Sequence, residues 1–174
     1  PQTIGHYNAW PLAFNDIVRR NGAPDDEFRG PGLLFDVIRG TGAAAGLQTL
    51  VQLNHPHGGI NLGRAIGFFD ADQPNPANSK FSTPLTNADI NDLENPVFNL
   101  SGGASITSNV GFDTMEVFNG SQIGQTADTA TNANDQFLTE LIATRADWFA
   151  LMNRSQFKVA TANSDSHFIA DQNG

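Results

Sequence analysis

Three short apolar segments of this chain each break off into a polar cluster, and that pattern limits the possible folds more than any other. LVQL runs into NHPH, MEVF into NG, and KVATA into NSDSH. Short apolar runs bounded by turn formers read as buried strands. In parallel α/β sheets and barrels, reactive groups gather where strands end. His55, His57, Asn119, Asp165 and His167 therefore stand where chemistry is expected. Turn-forming preference accounts for Asn119-Gly120, but it gives no reason for three histidines at strand ends. The spacing adds to this. In extended backbone, residues i and i+2 face the same way, so His55 with His57, and Asp165 with His167, can each aim two ligating groups into one pocket. Pro56 biases His55 toward extended geometry.

The rest of the chain fits an α/β domain spanning residues 1–174, a length that supports one core. A strand with a polar tip is expected over Thr3–Leu12 and a loop over 13–30. Pro31 can open a helix whose apolar face is Leu34, Phe35 and Ile38, weakened by Gly40 and Gly42. Strands follow at Thr49–Leu53, Thr114–Phe118 and Phe157–Thr161. Between them a short helix is expected at Thr86–Leu93, with Ile90 and Leu93 inward and Asp89 and Asp92 exposed. A long helix is expected from about Asp135 to Asn153, where Phe137, Leu138, Leu141, Ile142, Trp148, Phe149 and Met152 keep helical spacing. The loops at 58–110 and 119–134 exceed ordinary connections, as loops that are functional or cover something do.

Composition removes several classes of function. With a net charge of -9 and lysine only at 80 and 158, no basic cluster forms and no nucleic-acid surface is expected. No apolar run approaches the roughly 18 residues of a membrane span. The start, PQTIGHYNAW, lacks the charged and apolar stretches of a secretory leader. The absence of cysteine leaves the compartment open and leaves imidazole and carboxylate to hold any metal. Such a mixed set suits Zn, Mn or Fe better than Ca or Mg. No G-x-S-x-G elbow, P-loop or G-x-G-x-x-G fingerprint occurs. Glu116 either supports the site or pairs with a neighbouring arginine. A carbohydrate surface of Tyr7, Trp10 and Trp148 is the weaker idea, since Trp148 stands on an apolar helix face.

Taken together, GHYNAWPL at 5–12, LNHPHGG at 53–59, FDTMEVFNG at 112–120, DWFALMNRS at 147–155 and ATANSDSH at 160–167 resemble the PHP (polymerase and histidinol phosphatase) family. The likeness is to its CehA/McbA-like branch of metallohydrolases. The resemblance implies part of a distorted seven-stranded (βα) barrel that hydrolyses phosphate esters with up to three ions, usually Zn, Mn or Fe. It implies His6, His55, Asp165 and His167 as metal ligands, with His57 and Asn119 beside a phosphorylated small-molecule substrate. The family's opening H-x-H motif, the D-H pair and a ligand glutamate before GH have no counterpart here. On that pattern the chain matches the C-terminal portion of the domain with the first strands missing. The missing N-terminal segment or another chain would complete the site. The alternative is a non-catalytic PHP-derived module, such as an assembling subunit.

Overall fold

The structure is a computed structural model, and it describes residues 6–25, 29–56, 85–95, 108–119 and 133–163, with the backbone alone for 133–140 and 143. Four strands, β1 (His6–Trp10), β2 (Leu50–Asn54), β3 (Thr114–Asn119) and β4 (Val159–Asn163), form one sheet in the order β1-β2-β3-β4. β2, β3 and β4 run parallel, and β1 lies antiparallel to β2. With helices α1 (Pro31–Ala44), α2 (Asn87–Glu94) and α3 (Ala133–Asn153), this is a mixed α/β arrangement. Each expected strand is present, with its ends moved by no more than three residues.

Helix α1 begins at Pro31, where a missing N–H costs nothing. It runs on through Gly40 and Gly42 rather than weakening there. The second glycine has a structural reason: a Cβ at position 42 would lie inside van der Waals distance of Thr49 Oγ1. That hydroxyl is itself engaged, donating to Pro11 O at 2.8 Å. Helix α2 starts on a reciprocal cap between Thr86 and Asp89, so Asp89 is a half-buried capping group rather than an exposed one.

Helix α3 buries a different stripe from the one its hydrophobic spacing suggests. Thr144, Asp147 and Leu151 face inward, whereas Ile142 and Phe149 are 54% and 51% exposed. Two residues before Thr144, Ile142 lies roughly 160° around the helix axis, so no single neighbour can cover both. The fully buried Asp147 carboxylate accepts Leu85 N–H at 2.5 Å and so fastens the approach to α2 onto α3.

All three helices feed one core, in which Leu34, Phe35 and Ile38, Ile90 and Leu93, and Leu151 meet Val51, Leu53 and Met115. Phe35 is fully buried between the edge-on rings of Tyr7, at 5.1 Å, and Phe112, at 6.3 Å. The cross-strand register sets Tyr7 beside Leu53, Leu53 beside Met115, and Met115 beside Ala160, all on this helix-covered face. Alternation therefore turns Asn8, Gln52, Thr114 and Glu116 to the other face.

The end of the sheet where the parallel strands begin is locked by charge. Asp113 accepts from Arg39 and from Val51 N–H, both at 2.8 Å. Lys158 donates to the carbonyls of Val110 and Phe112 and lies 4.8 Å over the Phe112 ring. Asp113 thus ties α1 to the strand starts.

Candidate functional site

At the opposite end of the sheet, β2, β3 and β4 finish side by side, with Asn119 paired to Asn163. β1 contributes its beginning instead of its end, because it runs the other way. Its first residue, His6, pairs with Asn54, the last residue of β2. The antiparallel strand thus delivers His6 to the rim where the parallel strands deliver their C-termini. This explains how two histidines 49 positions apart meet: His6 Nδ1 and His55 Nε2 are 2.8 Å apart, with ring centroids at 4.9 Å. One of these nitrogens donates and the other accepts.

The backbone of His55 differs from the extended form that Pro56 favours. Its φ is +25°, in a region that non-glycine residues seldom enter. The turn has an evident partner. His55 N–H donates to Glu116 Oε2 at 2.5 Å, and the Glu116 residue is only 3% exposed. Among the described residues no cation pairs with Glu116. Arg39 and Arg154 are engaged elsewhere, with Asp113 and with Glu94.

Asn119 joins the same carboxylate, its Nδ2 donating to Glu116 Oε1 at 3.5 Å. Regular alternation puts residues three apart on opposite faces of a strand. The register shift between Glu116 and Phe118 brings Asn119 back to the side of Glu116. Asn119 is itself 3% exposed, so it stands beneath the rim and braces Glu116.

Below the rim the same face carries a short polar chain. Gln52 Nε2 donates to Asn54 Oδ1 at 2.7 Å, and Thr114 Oγ1 donates to Gln52 Oε1 at 3.4 Å. Thr161, in register with Glu116, has a buried hydroxyl with no hydrogen-bond partner among the described residues. The sequence signal for this layer is the alternation in LVQLN and TMEVFN, which treating the segments as uniformly apolar overlooks.

Of the expected site residues, His6, His55 and Asn119 are brought together with Glu116. His57, Asp165 and His167 lie outside the described residues, as do most of the loops at 58–110 and 119–134. Among the described residues no group of three or more histidine, cysteine, aspartate or glutamate side chains is set to hold a metal ion. None of the described helices is long and apolar enough to cross a membrane. Tyr7, Trp10 and Trp148 do not form one surface. Tyr7 packs on Phe35, and burial pushes its phenol well above the usual range. Trp10, three residues on, takes the other face of β1. Trp148 packs against the core and donates to Lys158 O at 2.8 Å.

Comparison with models of known families, with curated proteins and with solved structures returns no match for this chain.

Proposed function

We propose that the chain carries part of a metal-dependent site that hydrolyses phosphate esters, as its likeness to the PHP family implies. The observation that supports this most is the meeting of His6 and His55 at the rim where three parallel strands end. The helices occupy one face of the sheet and hydrogen-bonding side chains the other, which suits one section of a (βα) barrel of the PHP type.

Two imidazoles meeting at this rim are donors of the kind such an ion takes. A tetrahedral Zn with bonds of about 2.0–2.1 Å holds two nitrogens about 3.4 Å apart. From 2.8 Å, a ring movement of a few tenths of an ångström on each side reaches that spacing. In this proposal His6 and His55 supply two nitrogens, Asp165 and His167 complete the set, and His57 faces substrate. The ion, Zn, Mn or Fe, supplies Lewis acidity toward water and toward the phosphoryl oxygen when bound.

The test is metal analysis of the full chain, then hydrolysis of a phosphomonoester and a phosphodiester with added Mn or Zn. His55→Ala and His167→Ala are each expected to lower metal affinity tenfold or more. Equal metal affinity in the wild type and both variants would remove the proposal.

A second reading, a non-catalytic module that assembles with another chain, is favoured by one observation. Phe14 and Ile17, after β1, and Phe157 and Val159, at β4, are 76%, 90%, 75% and 65% exposed, so apolar side chains stand open beside both edge strands of the sheet, where another chain can pair. Unchanged behaviour of Asp165→Ala and His167→Ala would support it.

A further inference from the structure

We infer that Glu116 is a positioning residue: its buried carboxylate holds the His55 backbone in the turn that sets the His55 imidazole against that of His6. The inference rests on the proposal that these two rings work together.

A carboxylate taken out of water needs partners to offset its desolvation, and cations are the usual ones. Glu116 is 3% exposed and, among the described residues, has no cation against it. Its oxygens are taken by one backbone N–H and one amide. Oε2 accepts from His55 N at 2.5 Å, and Oε1 accepts from Asn119 Nδ2 at 3.5 Å. The N–H it takes belongs to the one described residue at the rim with positive φ, at +25°. A residue in that region persists only when its surroundings over-determine it. The Glu116 bond supplies this, acting against the extended geometry that Pro56 favours.

The bulge completes the device. Without the register shift after Glu116, Asn119 would turn to the helix side of β3 and could not reach Oε1. With it, the carboxylate is held from one side by Asn119 and presents its second oxygen to His55. The position of the His55 ring is then set by β3, the strand beside its own, and the reach of the glutamate side chain decides whether the rings meet.

Reach and charge can be separated. Glu116→Gln keeps the length and an acceptor oxygen but removes the charge. Glu116→Asp keeps the charge but draws the carboxylate back by one methylene. The readout is long-range 15N–1H NMR of the imidazoles in the full chain. There, the shift of the His55 ring nitrogens on replacing His6 by Gln reports the contact between the rings.

The contact is expected to survive Glu116→Gln and to be lost in Glu116→Asp, with zinc affinity, measured with the metal alone, falling about 10–100-fold in Glu116→Asp. The reverse order, contact kept by Asp and lost in a folded Gln variant, would mean that charge matters and would overturn the inference. So would retention in both. Loss of the contact in folded Gln and Asp variants alike would still make Glu116 the residue that places the ring, with its charge needed as well as its reach. If zinc does not bind the wild type, the hydrolase proposal fails, while the ring contact still decides the role of Glu116.

Discussion

Gly40 and Gly42 occupy the same helix two residues apart, and alanine is expected to act in opposite directions at the two positions. In a helix interior, alanine is more favourable than glycine by about 1 kcal/mol. Gly40 is exposed, and a Cβ there meets nothing within 4 Å. Gly40→Ala should therefore realise most of that gain. For a chain of this size, about 1 kcal/mol raises the melting temperature by roughly 2–4 °C. At Gly42 the same gain is opposed by the Thr49 side chain, whose Oγ1 and Cβ both crowd the new methyl. Thr49 cannot swing away freely, because its hydroxyl bonds Pro11 O at the end of β1. Overpacking of this kind costs about 1–3 kcal/mol, and loss of the hydrogen bond adds about 1 kcal/mol. The net for Gly42→Ala is a loss of about 1–3 kcal/mol after the propensity gain. The assay is thermal unfolding of both variants against wild type, supported by urea midpoints. A rise in melting temperature for Gly42→Ala comparable to that for Gly40→Ala would refute the packing account of this helix.

Two further outcomes follow from the buried polar groups. Burial lowers the Lys158 ammonium to about pKa 8, with Asp113 raising it and Arg39 lowering it further. A folded-state pKa below the usual 10.5 means the unfolded chain holds more protons between those values, so stability should increase from about pH 8 upward. Above about pH 10 the raised phenol of Tyr7 works the other way, since its contribution is lost as pH rises through its own pKa. Denaturant midpoints between pH 7 and 11 should pass through a maximum, and the rising limb should vanish in Lys158→Met. Asp147→Ala leaves the Leu85 N–H without its acceptor and should cost about 1–3 kcal/mol in urea unfolding. A loss below a few tenths would show that the contact between α3 and the approach to α2 is dispensable.

By itself the chain determined which segments become strands and helices, and where chemistry should be sought. Apolar runs of five or so residues cut off by Asn and His mark β2, β3 and β4, and Pro31 marks a helix start. Histidines at these breaks stand out because turn formation has no use for imidazole. What local pattern could not carry is any relation between segments. His6 reaches His55 only because β1 runs antiparallel to β2, a pairing that no neighbouring residue encodes. Glu116 meets a backbone N–H instead of an arginine because the arginines are drawn to the other end of the sheet and to α2. Asn119 joins it through a one-residue shift that breaks the period-two rule on which strand reading depends. The buried stripe of α3 centres on Thr144 and Asp147, because what a helix buries is set by the neighbours it meets as well as by its own hydrophobicity. Ligand types are a property of the residues, but their convergence on one point belongs to the tertiary structure, which alone brings groups distant in sequence within hydrogen-bonding reach.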